Sequence, residues 1–247
     1  MRFNLMTGPL LLLAMQISPV DVYQDSRGRV RLSVGYGAGR YVDRKFSCSG
    51  DLLSSTPVPY ETYGARVDYW PAPRFRLSGF AGETSLGTGF NGGPFGGVLV
   101  AFEGRSAGIG LGVTRFSIED VRGAINYDSS GSVFAAANPA GYLRFGSIDH
   151  AHFRFDFYHP SSTFGTTGLA RIGVGFNAGL RTGTSGFFGL EAGPSSDQSS
   201  VGGAFGELFV PIQQFDLGLR GFLQPGARDE AYGGSLSLRY NFRLGTS

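Results

Sequence analysis

All three histidines of this 247-residue chain fall between residues 150 and 159. On an extended backbone His150 and His152 share a face, a spacing that chelates a metal ion when a third ligand lies nearby. No cysteine, carboxylate or further histidine is placed to complete such a set, so a turn residue (His150) and a strand residue (His152) describe the pair better. His159-Pro160-Ser161-Ser162 sets a base beside two hydroxyls, the raw material of nucleophilic catalysis. Neighbours on one loop seldom reach the geometry a base and nucleophile need, so this phrase does not predict an enzyme. Gly108-Ile-Gly-Leu-Gly112 lacks the Lys-Ser/Thr pair and the following helix of a phosphate loop. The sequence therefore predicts no catalytic site, no metal and no cofactor.

Ionic chemistry is better represented. The chain carries 21 basic and 19 acidic residues, a net charge of +2, and Lys45 is its single lysine. Arginine thus supplies nearly all the positive charge, and guanidinium is suited to bidentate pairing with carboxylates. So small a net charge, with no basic run, argues against nucleic acid as a partner.

The elements that must hold these charges are strands. Gly233 to Leu244 reads G-G-S-L-S-L-R-Y-N-F-R-L: Leu236, Leu238, Tyr240, Phe242 and Leu244 fall on one face, and Ser235, Ser237, Arg239, Asn241 and Arg243 on the other. Such alternation fits a strand with apolar surroundings on one side and water on the other. Ten residues is also the length a tilted strand needs to cross a bilayer. The pattern recurs in twelve segments, roughly 30–39, 60–70, 73–83, 94–103, 105–116, 139–148, 150–158, 167–179, 185–193, 200–210, 213–223 and 232–243. In 200–210 the face is ambiguous, because Phe205, Glu207 and Phe209 share it. Glycine, at 41 residues, is more than twice its usual share of about 7%. No apolar run is long enough for a transmembrane helix.

Connections alternate in length. Short turns such as Pro71-Ala72-Pro73, Glu103-Gly104-Arg105, Ile148-Asp149-His150 and Pro211-Ile212 alternate with the longer stretches 40–59, 84–93, 117–138, 159–166, 194–199 and 224–231. Short periplasmic turns and long extracellular loops mark outer-membrane barrels. A soluble sandwich would also alternate, but its strands usually run five or six residues. Aromatic residues near strand ends, Tyr60, Tyr63, Tyr69, Trp70, Tyr158, Phe209, Tyr232, Tyr240 and Phe242, suit a membrane–water interface. The fold expected is all-β: a transmembrane antiparallel up-and-down barrel of about twelve strands in one domain, 21–247. Arg2 followed by Pro9 to Met15 resembles a secretory signal peptide over residues 1–20. Cys48 stands alone, so no internal disulfide forms.

With the Phe and Leu faces toward lipid, the opposite faces line a lumen. That register places Arg66, Arg74, Arg76, Arg144, Arg154, Arg171, Arg220 and Arg239 inside, with Asp68, Glu103, Asp156, Glu191, Glu207 and Asp216. An arginine facing the bilayer midplane would cost about 2–4 kcal/mol, which supports the inward assignment. Two arrangements are open. The charges pair and rigidify a closed barrel, or they line opposite walls of a water-filled pore. Inward glycines, Gly108, Gly110, Gly112, Gly173 and Gly175, leave volume and favour the pore, unless they only permit curvature.

The final strand, with Tyr240 and Phe242 in its outward set, resembles the C-terminal assembly signal of bacterial outer-membrane β-barrel proteins, although Arg243 to Ser247 follow the aromatic residue. The resemblance extends by pattern over residues 30–244 and singles out no subfamily. It implies an outer-membrane location, lipid contact, recognition by the barrel-assembly machinery, and porin-like passive diffusion of small polar solutes. The slight arginine excess suggests mild anion selectivity. In porins the third loop often narrows the channel, which implies Asp120, Arg122 and Asp128 as a constriction. A solvated surface loop is the alternative. A non-conducting barrel acting through its extracellular loops, with Leu52 and Leu53 on 40–59, is the competing function.

Overall fold

The computed structural model describes residues 27–87, 93–116, 138–147, 150–158, 169–177, 184–194, 200–225 and 229–244. The expected signal peptide, the constriction stretch and His159 to Ser162 lie outside these residues.

Twelve strands follow in chain order: β1 (Arg29–Phe46), β2 (Leu52–Ala72), β3 (Phe75–Leu86), β4 (Gly93–Glu103), β5 (Ala107–Phe116), β6 (Asn138–Gly146), β7 (Ala151–Tyr158), β8 (Leu169–Asn177), β9 (Ser185–Pro194), β10 (Ser200–Ile212), β11 (Phe215–Gln224) and β12 (Asp229–Arg243). Each pairs antiparallel with its neighbours in sequence. β1 also pairs with β12, from Arg29 opposite Arg243 to Asp43 opposite Asp229, so the sheet closes into a barrel. Closure lets neighbouring strands satisfy one another's backbone, which a bilayer demands of the segments that cross it.

The two faces differ as the alternation requires. Leu32, Val34, Val67, Val98, Val100, Ile109, Leu111, Ile172, Val174, Leu190, Leu236 and Leu238 are all exposed on the outer surface. Their chain neighbours of opposite parity, Arg31, Arg66, Asp68, Gly110, Gly173, Ser237 and Arg239, are buried inside. In β10 the ambiguity resolves inward: Phe205, Glu207 and Phe209 are all buried.

Three expectations need correction. The stretch 40–59 is not a long loop. β1 and β2 run through most of it and leave the tight turn 47–51, where Ser47 N–H donates to Asp51 O at 2.8 Å and Gly50 takes φ 90°. Eighteen residues of β1 span about 60 Å, far more than a bilayer core needs. This hairpin therefore projects past the membrane at the loop end, where Leu52 to Pro57 of β2 are exposed on both faces and alternation fades.

Arg74 is not inside. Pro73 and Arg74 form the two-residue β2–β3 turn, Arg74 is exposed at φ 67°, and its carbonyl accepts from Glu103 N–H at 2.7 Å. Strand parity does not extend to a turn residue. Finally, Tyr60, Trp70 and Phe209 do not join an outer aromatic girdle. They share parity with Thr62, Asp68 and Glu207, so they point into the barrel and are buried.

Candidate functional site

The inward face near the end where β1 begins and β12 finishes, called the termini end below, is a belt of arginines, carboxylates and rings. Among the described residues seven buried arginines lie there (31, 66, 76, 144, 154, 220 and 239) with four buried carboxylates, Asp68, Glu103, Asp156 and Glu207.

Parity assembles this belt locally. Arg66 and Asp68 are two apart on β2, and Ser78 of β3 sits directly opposite Asp68. Arg66 donates to Asp68 Oδ1 through Nε at 2.9 Å and Nη2 at 2.7 Å, and Nη2 reaches Ser78 Oγ at 3.2 Å. Ser78 in turn donates to the same carboxylate oxygen at 2.5 Å. Arg154 and Asp156 repeat the i, i+2 pair on β7, with Nε to Oδ1 at 2.6 Å.

Glu103 is the hub of the next cluster. Arg76 Nη2 and Arg144 Nε approach its two oxygens at 3.6 Å each, and Tyr142 donates its hydroxyl proton to Oε1. Arg76 also donates to Tyr142 Oη at 3.1 Å. Arg144 caps the termini end by donating to the backbone oxygens of Gly146 and Gly104. Across the barrel, Arg220 Nη1 lies 3.5 Å from Glu207 Oε1. At the rim Arg31 donates to Asn241 Oδ1 at 2.8 Å, and Asn241 passes on to Asp216 Oδ2 at 3.0 Å. Asp216 is half-buried.

Rings fill the spaces between the ions. Arg239 lies 3.5 Å from the Phe209 ring centre, Arg154 4.2 Å from Tyr142 and Arg31 5.5 Å from Trp70. A guanidinium over an aromatic face is attracted by the ring quadrupole, more so when shielded from water. Nothing in the sequence announces these stacks, since they join residues on different strands.

The inward glycines do not leave the volume expected of them. A Cβ on Gly110 would collide with the Tyr142 ring, one on Gly175 with His152, and one on Gly108 with the Glu103 carboxylate. Gly173 would meet Phe187 at 2.9 Å. Each of these glycines is the floor on which a neighbouring strand lays a large side chain. His152 itself is buried with its ring stacked against Phe187, whereas His150 is exposed in the turn, so the two are not a chelating pair.

Of the residues selected from sequence, Arg66, Arg76, Arg144, Arg154, Arg220, Arg239, Asp68, Glu103, Asp156 and Glu207 come together inside the barrel, with Asp216 at its rim. Arg171 and Glu191 stand opposite each other in the β8–β9 register, and their side chains are outside the description. Asp120, Arg122 and Asp128 lie outside the described residues. Arg31, Tyr142 and Trp70 belong to the belt and were missed. The inward parity of β1 would have found Arg31, since it lies two residues before Ser33 on the strand face opposite Leu32 and Val34.

No family model matches the chain, and no curated protein matches its sequence. Solved structures do resemble it. The COG4313 outer membrane channel from Pseudomonas putida F1 aligns with a TM-score of 0.57 at 12% identity, covering 91% of this chain and 99% of that one. The toluene transporter TodX of P. putida gives 0.49 at 7% identity over 88% and 91% of the two chains. The β domain of the Bordetella autotransporter BrkA gives 0.42 at 15%, over 86% and 99%. At such identities the likeness is one of fold, carried by the first of these, and the fold is that of bacterial outer-membrane β-barrels.

Proposed function

We propose that this outer-membrane barrel is a channel for passive passage of small polar solutes, with a mild preference for anions. The observation that carries the reading is the belt itself, a polar, arginine-rich interior ring inside an apolar outer surface. A lumen charged this way attracts anions electrostatically, and its compactness admits only small solutes. That the similar structure is an outer membrane channel agrees with this reading. Arg66, Arg76, Arg144, Arg154, Arg220 and Arg239 are the charges proposed to act on permeant ions, with Arg171 beside them and the acids Asp68, Glu103, Asp156, Glu191, Glu207 and Asp216 moderating the field. The C-terminal strand β12, which closes the barrel against β1, is the segment proposed to engage the assembly machinery.

The test is solute flux into proteoliposomes containing the refolded barrel. Chloride entry faster than sodium entry supports the reading. Vesicles as tight as protein-free ones contradict it.

A second reading has its own support. Arg144, Tyr142 and Asp156 are wholly shielded from water, as expected if the ion pairs lock the barrel shut. The projecting β1–β2 hairpin, with Leu52 and Leu53 exposed, would then carry the function as a contact surface. Tight vesicles together with binding of partner cells lost on trimming the hairpin would favour this reading.

A further inference from the structure

Outside the lumen, the two ends of the barrel carry opposite charge. Among the described residues, Arg27, Arg74, Arg105 and Arg243 are exposed at the termini end, and the acid there, Asp216, is half-buried and bonded to Asn241. At the loop end Asp51, Glu61 and Glu83 are exposed and Glu230 is half-buried, against an exposed Arg40. The basic end is also the end of the short turns, which in outer-membrane barrels is the periplasmic one.

The four arginines form a crescent over neighbouring strands. Arg243 and Arg27 stand at the β12–β1 seam, Arg74 in the β2–β3 turn and Arg105 in the β4–β5 turn. With strands about 4.8 Å apart, the seam and the two turns are spaced by roughly 7–10 Å along the rim. Backbone hydrogen bonds hold each place. Gly28 N–H donates to Trp70 O at 2.8 Å and Leu244 N–H to Gly28 O at 2.9 Å, which fixes the seam. Glu103 N–H donates to Arg74 O at 2.7 Å and Gly104 N–H to Ala107 O at 2.8 Å, which fixes the turns.

The crescent borders the lipid-facing aromatic residues. Arg74 precedes Phe75, Arg243 follows Phe242, and Arg105 lies three residues past Phe102. Phe75, Phe102 and Phe242 share parity with the outward Leu77, Val100 and Leu238, and Phe215, Tyr240 and Phe242 pack ring against ring on that surface. Aromatic belts sit at the level of the head groups. Guanidiniums one to three residues further along the chain therefore stand at the depth of the phosphates. They lie flush with the rim and not on projecting loops, so the surface they meet is the bilayer's own.

We propose that this crescent binds the phosphodiester head groups of anionic phospholipids, of the phosphatidylglycerol class, in the leaflet that the termini end faces. Guanidinium pairs with phosphate oxygens through two parallel N–H donors. The acidic loop end repels the same lipids, so the two ends together favour one orientation of the barrel. The inference is independent of the channel reading, since lipid binding at the rim needs no conducting lumen.

The test compares spin-labelled phosphatidylglycerol with spin-labelled phosphatidylcholine in phosphatidylcholine vesicles containing the full refolded barrel. Electron paramagnetic resonance reads the fraction of each lipid held in the boundary shell. The wild-type barrel is expected to prefer phosphatidylglycerol roughly twofold, averaged over the shell, and less so in about 1 M sodium chloride. Replacing Arg27, Arg74, Arg105 and Arg243 together by Gln should equalise the two lipids, whereas Arg40→Gln at the loop end should keep the preference. Folding is checked by heat-modifiable mobility. If the fourfold variant does not assemble, Arg74→Gln with Arg105→Gln, both outside the strand ladder, should lose about half of the excess. A wild-type barrel without preference overturns the proposal, as does a preference that survives these substitutions. Equal loss in Arg40→Gln overturns the assignment to the crescent. A preference abolished by soluble glycerol phosphate overturns the bilayer lipid as the ligand.

Discussion

Glu103 shows what a single side chain does in this lumen. Its carboxylate answers Arg76, Arg144 and the Tyr142 hydroxyl at once, and all four groups are shielded from water. Removing one partner of a buried ionic cluster leaves the others uncompensated, at a cost of about 3–5 kcal/mol. Glu103→Gln is therefore expected to destabilise the barrel by that order in urea unfolding from lipid vesicles. On the proposed channel reading, position and not residue type alone decides which arginines act on permeant ions. Arg66→Gln with Arg239→Gln is expected to lower the chloride-over-sodium preference. Arg74→Gln is expected to leave it unchanged, because Arg74 sits in a turn. A reversal potential measured under a salt gradient separates the two. Period-2 parity sufficed to find most of the belt from sequence. It failed at Arg74, where the chain leaves the strand one residue before Phe75. It failed too for Trp70 and Tyr60, where nearness to a strand end suggested lipid contact although parity already pointed inward.

At the scale of elements the same physics explains what was legible. Twelve segments stand out because each has lipid on one face and polar groups on the other, which forces alternation. The expected limits of β1 and β2 fall short because the hairpin runs past the membrane, where β2 is exposed on both faces from Leu52 to Pro57. Residues 40–46 and 52–59 therefore carry no pattern. That extension leaves an edge. Beyond Tyr60, opposite Leu86, no described strand pairs with β2 on the side away from β1. Pro59 accepts there from Gly87 N–H at 2.8 Å, so Pro57 and Pro59 both turn their missing N–H groups toward this open side. Proline on an edge discourages strand addition. Pro57→Val with Pro59→Val is expected to promote self-association in detergent, visible as a larger species by light scattering. The glycines carry a different lesson. The sequence marks them as small, but the rings above them come from neighbouring strands, and cross-strand register is not written in either strand alone. Gly110→Val is expected to displace Tyr142 and destabilise the fold by about 1–3 kcal/mol, as overpacking does.

Across the whole molecule, closure turns these local choices into a function. Antiparallel pairing of neighbours and the β1–β12 seam close the sheet, so the outer surface can be apolar while a belt of buried charge gathers inside. Among the described residues the buried guanidiniums outnumber the buried carboxylates, seven to four. That imbalance is the basis of the proposed anion preference. Single-channel recording of the refolded barrel in a planar bilayer under a salt gradient tests this most directly. The account predicts small, stable conductance steps with a reversal potential on the anion side. Cation preference, or silence from a barrel shown to be folded and inserted, would contradict it.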